Sequence, residues 1–369
     1  MRKTHLLIPL VSLLLVSIVL ACASCGSPSF STEQVKQLED IVEETMTAQN
    51  IPGVIVGIWT PEGTWVKAFG KADIEKGTPI STDDRVRIAS NTKTFVATVV
   101  LQLVQEGKLS LDDKLSKFVP SVKDADNITI RQVLQMTSGT FSFTEDEQFD
   151  KDFTADPLMK LTPEQEIEIA NKHDNYFPPG QGYHYSDTNY EIAGLLIERV
   201  TDNKVEEEIQ TRVIEPLGLG DTSFPETPDI TGKHSKGYVL QDGELVDYSR
   251  VEPSVPWAGG AMISNLDDMK AWAEALASGS LLDKQMHAEQ SKTVKMGEGP
   301  AGYGLGVLDV NGFWGHEGAI FGFNTIFLRD PDRDATFIVF TNQSTNSAGD
   351  ATAIVTALIK VVYPEMGRK

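Results

Sequence analysis

Ser90 and Lys93 stand three residues apart in Ser90-Asn91-Thr92-Lys93, just ahead of an apolar helical repeat. A hydroxyl and an amine therefore project from one face of a first helical turn. A serine hydroxyl becomes a strong nucleophile only when a neighbour takes its proton, and a lysine amine kept from water can do so. The helix N-terminus adds unpaired N–H groups and partial positive charge beside Ser90, suited to an oxygen that gains negative charge. The same four residues also suit a plain helix cap followed by a solvated lysine, so other residues must decide between chemistry and capping.

Two further clusters carry proton-moving groups. Tyr185-Ser186-Asp187 follows the turn-forming Pro178-Pro179-Gly180-Gln181-Gly182 and opens a helix, and His316-Glu317-Gly318 is expected to end a strand. With Ser90-x-x-Lys93, their order resembles the three active-site motifs of the penicillin-recognising serine hydrolases. Tyr185-x-Asp187 and His316-x-Gly318 look like the D-alanyl-D-alanine carboxypeptidase and class C β-lactamase branch. Leu101–Leu109, Gln132–Gly139, Trp257–Ser264 and Gly302–Gly306 are similar to segments that lie between those motifs, and they extend the resemblance over almost the whole chain.

The resemblance implies roles. Ser90 Oγ would attack a carbonyl and form an acyl-enzyme, with either Lys93 or Tyr185 taking the proton. The backbone N–H groups of Ser90 and Ala319 would form the oxyanion hole, and His316 would hold the place of a basic residue near the leaving group or a substrate carboxylate. Asp187, Gly318, Ala319 and Trp257 are expected to bind substrate, with Phe141, Phe143, Phe177 and Trp257 as candidate pocket walls. No cofactor and no metal are expected. The sequence departs from the pattern where Asp187 replaces the usual Asn, because an ionised carboxylate accepts hydrogen bonds and donates none. Glu317 adds a second carboxylate, and no arginine follows Gly306 to hold a terminal carboxylate.

The elements that position these residues follow from pattern. Glu33–Gln49 has a helical apolar period, Gly53–Thr60 and Thr64–Lys71 form a hairpin about Pro61-Glu62-Gly63, and Asn91–Glu106 is a long helix closed by Gly107. Ile130–Met136, Pro163–His173, Thr188–Val200 and Val205–Val213 read as helices of an inserted lobe. Leu266–Ala277 leads to strands at Tyr303–Asp309, Gly312–His316, Ala319–Arg329 and Ala335–Thr341, then a last helix over Ala348–Val362. Strands this closely spaced favour antiparallel pairing. The expected fold is α/β (α+β): an antiparallel sheet flanked by helices, β-lactamase/transpeptidase-like, with a sheet lobe over 32–111 and 256–369 and a mostly helical lobe over 112–255. The acidic stretch 145–152 reads as a solvated loop.

Composition narrows the partners. The chain of 369 residues carries a formal charge of −21. Such a surface repels phosphate backbones, and no basic run offsets it, so nucleic acid is not expected. His173, His184 and His234 lack metal-ligand spacing and read as surface or core histidines. Both cysteines, Cys22 and Cys25, lie near the start, after Arg2, Lys3 and an apolar run over 6–20. Residues 1–21 read as a signal peptide, and Val19-Leu20-Ala21-Cys22 resembles a lipobox with Cys22 as the lipid attachment site, followed by a tether to residue 31. The expectation is an exported serine hydrolase held to the cell envelope by an N-terminal lipid. Its substrate would be a small peptide, β-lactam or ester, with D-alanyl-D-alanine carboxypeptidase-like action foremost. An esterase, a β-lactamase or a non-catalytic receptor on the same scaffold are the alternatives.

Overall fold

The computed structural model describes residues 29–344 and 349–367. The leader and Cys22 lie outside the described residues. The chain opens with α1 (Thr32–Gln49), whose start is fixed by Ser31 and Gln34 bonding each other's backbone in a reciprocal cap. Strands β1 (Gly53–Thr60) and β2 (Gly63–Asp73) form the expected hairpin, followed by short β3 (Thr78–Pro79) and β4 (Val86–Arg87). A single 3-10 turn, Ala89–Asn91, leads into the central helix α2 (Thr92–Gln105), buried along nearly all its length.

The middle of the chain holds α3 (Ile130–Leu134), α4 (Glu147–Ala155), α5 (Pro163–Asn171), α6 (Thr188–Thr201), α7 (Val205–Ile209) and α8 (Glu215–Leu217). Strands β5 (Tyr238–Gln241) and β6 (Glu244–Asp247) close it. There follow α9 (Trp257–Gly260), β7 (Ile263–Ser264), α10 (Leu266–Ser278), α11 (Lys284–Gln290), β8 (Val294–Lys295), β9 (Ala301–Tyr303) and β10 (Leu308–Val310). The chain ends with β11 (Phe313–Ile320), β12 (Phe323–Asp330), β13 (Ala335–Thr341), β14 (Gln343–Ser344) and α12 (Gly349–Val362).

The main sheet has nine strands in the order β3-β2-β1-β13-β12-β11-β10-β9-β8, antiparallel at every pairing. Both ends of the chain build it, because β1 pairs with β13 from Val54 against Thr341 to Trp59 against Thr336. The strand period of two sorts the side chains between two cores. Val54, Val56, Ile58, Phe337 and Val339 pack under α1 and α12, while Ile55, Ile338 and Phe340 face α2 and α10.

Three sequence expectations need correction. Tyr303–Asp309 is two strands, because Gly306 takes φ +76° and the Gly304 N–H donates to the Val307 carbonyl, which folds the segment back on itself. His316-Glu317-Gly318 lies inside β11, which turns only at Phe321-Gly322, where Gly322 has φ +82°. The acidic stretch is helix α4: the Asp146 side chain caps it by accepting from the Gln148 and Phe149 N–H groups, and Phe149 is buried against Phe143. The segment read as mostly helical also supplies β5, which pairs with β6 and, in parallel, with β14.

Candidate active site

The turn that carries Ser90 is built against the sheet. Ala89 takes φ +48°, a left-handed conformation that costs a non-glycine residue about 1–2 kcal/mol, and the surrounding contacts enforce it. Asn91 Nδ2 donates to the Ile88 carbonyl at 2.8 Å and to Thr325 Oγ1 of β12 at 2.7 Å. Gly318 of β11 presses on the same turn: a Cβ there would lie 2.4 Å from the Ile88 carbonyl oxygen and 3.0 Å from the Ala89 methyl. Only glycine permits that approach. β10 covers β11 only as far as Gly315, so the edge that carries Ala319 is left to face the turn, and Ser90 and Ala319 share one pocket wall.

Lys93 is fully buried in the first turn of α2. Its Nζ donates to Ser90 Oγ at 2.9 Å, to Asp187 Oδ1 at 2.7 Å and to the Gly259 carbonyl at 2.7 Å. Three acceptors match the three donors of an ammonium, and the ion pair with Asp187 also reaches Ser90 Oγ. Asp187 is fixed in turn: its N–H donates to Ser142 Oγ, and Thr144 Oγ1 donates to its Oδ2. Thr188 ties the same loop to α6 by donating to the Phe141 carbonyl and accepting from the Phe143 N–H. The carboxylate that replaces the usual Asn thus finds an amine, and that amine is Lys93.

Tyr185 lies with its ring centroid 5.0 Å from Lys93 Nζ. Burial and then the Asp187 charge push its phenol well above 10, and a hydrogen bond with Ser90 only partly opposes them. Tyr185 therefore keeps its proton, while Lys93 Nζ lies within hydrogen-bond reach of Ser90 Oγ. His316 is placed differently from the expectation. It is buried behind the site, its Nε2 2.9 Å from the Tyr303 hydroxyl, and its Nδ1 faces the Glu317 carbonyl. Burial, then the Lys93 charge, lower its pKa to about 3, so it is a neutral imidazole at pH 7 and cannot serve as a cation for a carboxylate. The Glu317 side chain points to the other sheet face, where Thr352 Oγ1 donates to it at 3.0 Å.

The pocket beside Ser90 has a volume of about 330 Å³. Phe143, Phe149, Phe153 and Phe321 form an apolar wall, and Asp150, Asp187 and Glu191 add carboxylates. Among the described residues that line it there is no Lys, Arg or His. Trp257, expected to bind substrate, packs instead in the main core against Gly194, and its neighbours Val255, Pro256, Gly259 and Gly260 line the pocket. Phe141 stacks on His173 and Tyr176, and Phe177 packs against Gly139 and Gly182. His173 bonds Asp146 at 2.7 Å, which pins the cap of α4. Among the described residues no group of three or more His, Cys, Asp or Glu could hold a metal ion, and no helix is long and apolar enough to cross a membrane.

Sequence reasoning missed Asp150, because α4 was read as loop, and the buried pair Glu166 and Glu191. Glu191 did carry a signal. It follows Asp187 by four residues, hence on the same helix face, and directly precedes the apolar run from Ile192 to Ile197.

Protein flp of Staphylococcus aureus (strain N315) is 28% identical over 329 residues, covering 85% of this chain, which spans 64% of that protein's length. A putative D-alanyl-D-alanine carboxypeptidase of Salmonella paratyphi A is 26% identical over 277 residues, covering 69% of this chain and 61% of that protein. The crystal structure of a D-stereospecific amidohydrolase from Streptomyces sp. superposes with a TM-score of 0.80 at 31% identity, covering 87% of this chain and 97% of the other. The Beta-lactamase family model matches residues 38–359, and the chain belongs to that family of serine hydrolases.

Proposed function

We propose that this protein is an amidohydrolase that works through an acyl-Ser90 intermediate on small amides bearing a free amino group and an apolar side chain. The observation that carries the reading is the pocket wall: carboxylates and phenylalanines, with no cation among the described lining residues and His316 neutral behind it. Asp150 stands exposed on α4 at the pocket with no side-chain partner among the described residues, placed to meet a substrate ammonium. A carboxypeptidase substrate ends in a free carboxylate, which this wall would repel. The likeness to the Streptomyces D-stereospecific amidohydrolase supports a D-amino-acid amide, and the Salmonella relative supports the cell-wall carboxypeptidase as the second reading.

The chemistry follows from the contacts around Lys93. With substrate seated and water displaced, Lys93 passes one proton to Asp187 and the neutral amine takes the Ser90 proton as Oγ bonds to the carbonyl carbon. The C–N bond then breaks, and the leaving nitrogen receives the proton held on Lys93, with Tyr185 as donor neighbour. A water then gives a proton to the neutral Lys93 as its oxygen attacks the ester carbon, the Ser90 oxygen leaves with that proton, and Asp187 returns its own proton to Lys93. Export and lipid attachment at Cys22 belong to this proposal, and loss of labelled-lipid incorporation in Cys22→Ala is the expected result.

The test is hydrolysis of D-phenylalanine amide, its N-acetyl form, D-alanyl-D-alanine and a penicillin by the protein and its Ser90→Ala variant. Turnover of the free-amino amide alone, lost in the variant, is expected. A preference for D-alanyl-D-alanine, with a lasting penicillin adduct, would establish the carboxypeptidase instead.

A further inference from the structure

Behind Asp187, α5 and α6 bring two buried carboxyl groups together, Glu191 at the inner end of the pocket and Glu166 behind it. Glu166 and Glu191 are both fully buried, and each carboxyl lies close enough to the other to change its proton affinity. Neither oxygen of Glu166 meets any other donor among the described residues. Two carboxylates this close in a buried site cannot both be ionised, so at least one proton lies between them. The pair is not symmetric. Glu191 Oε1 accepts the Gly259 N–H at 3.2 Å, and the carbonyl of that same residue accepts from Lys93. The Cα of Gly259 marks the meeting point: a Cβ there would lie 3.0 Å from Glu191 Oε1, 3.5 Å from Lys93 Nζ and 3.8 Å from Asp187 Oδ1. Glu166 has no such partners.

We infer that Glu166 holds the shared proton while Glu191 carries a buried negative charge that sets the proton affinities of the Lys93–Asp187 pair, with Gly259 as the bridge. Glu191 is thus a positioning residue for the nucleophile's base. Burial first, then the neighbouring Glu191, raise the Glu166 pKa. Burial likewise raises Glu191 well above the ordinary carboxylate range and Asp187 adds to it, but Lys93, the Glu166 carboxyl and the Gly259 N–H oppose the rise there and have no counterpart at Glu166, so Glu191 is the easier of the two to ionise. The groups that face this centre are Lys93 from α2, Asp187 and Tyr190 at the start of α6, Tyr185 from the preceding loop and His316 from β11. Of these, only Lys93 bears an amine, and it pairs with Asp187. Removing a negative charge from such a centre lowers every proton affinity in it, so both limbs of a pH profile must move the same way.

This inference rests on the acyl-Ser90 reading, and its test separates the two. Acetylation of the full-length protein by p-nitrophenyl acetate is followed across pH by burst kinetics and intact mass, for wild type, Glu191→Gln and Glu166→Gln. Glu191→Gln should shift both limbs to lower pH by about one unit, mostly through kcat. Glu166→Gln, whose amide donates as the protonated acid does, should leave the limbs in place. Infrared difference spectra give a readout that needs no turnover: a protonated-carboxyl band at pH 7.5 should vanish in Glu166→Gln and persist in Glu191→Gln. Unmoved limbs in Glu191→Gln, or a band lost there instead of in Glu166→Gln, overturns the inference. A merely structural pair would lower thermal stability in both variants and move neither limb. Absence of any Ser90 adduct would remove the acyl-enzyme reading while the infrared bands still decide where the proton lies.

Discussion

The two faces of the nine-stranded sheet are made from the same strands by different rules. Under α1 and α12, β1 and β13 present Val54, Val56, Ile58, Phe337 and Val339 to a partner surface of the same kind, and the buried groups there are almost all apolar. That face also buries Thr341 opposite Val54, an uncharged polar group, whereas on the opposite side α2, α6 and α9 enclose Lys93, Glu166, Glu191, Tyr190, Tyr303 and His316, all buried. A buried charge is tolerated only when partners satisfy it, so the second face gives up part of its stabilisation to hold an ion pair in place. One face keeps the molecule folded, and the other keeps a reactive group ready.

That contrast can be tested in descending order of effect. Ser90→Ala should lower kcat about 10⁴-fold or more while the thermal midpoint hardly moves, as read from amide hydrolysis beside calorimetry. Equal losses of activity and stability would erase the distinction. Phe337→Ala, on the apolar face where the ring meets Phe313 and Tyr363, should cost about 3–5 kcal/mol in denaturant unfolding with kcat/KM preserved below the transition. Asp187→Asn restores the usual motif residue but strips Lys93 of its anion, and kcat on free-amino amides should fall about 10- to 100-fold.

How much of this was legible in the sequence differs by face. The hairpin and the strands of the apolar face were readable because alternation and turn residues are local signals. The Ser90–Lys93 pair was readable because one helical turn fixes its geometry. Glu166 was not, since Glu164, Glu166 and Glu168 alternate along α5 as a solvated face would, and only the docking of α6 buries the middle one. The expectation of a basic His316 failed for the same reason: its charge depends on burial by distant segments and on Lys93, neither visible in His316-Glu317-Gly318. The acidic stretch was misread because a cap by Asp146 outweighed its charge density.

Two smaller effects sharpen the comparison further. The folded chain holds His316 at a pKa of about 3, below the ordinary 6.5, so the unfolded chain binds its proton first. Stability from this group is complete above pH 6.5 and is lost as pH falls towards 3. In His316→Gln that part of the slope should be absent from denaturant midpoints measured between pH 6.5 and 4. Asp150→Asn should raise KM about 5- to 10-fold for a substrate with a free amine and leave its N-acetyl form unaffected, as suits an exposed carboxylate.

The chain enters the fold beside the β1–β2 turn, where a Cβ on Gly63 would meet the backbone of Ser29 and Phe30, and passes directly into α1. α1 and α12 lie across the sheet from the Ser90 pocket. A bead or electrode joined to the chain ahead of Ser29 would therefore meet the molecule on its rear side. The cleft would open toward the bulk solution, and its reactants would arrive by free diffusion from the medium, not by sliding along the support.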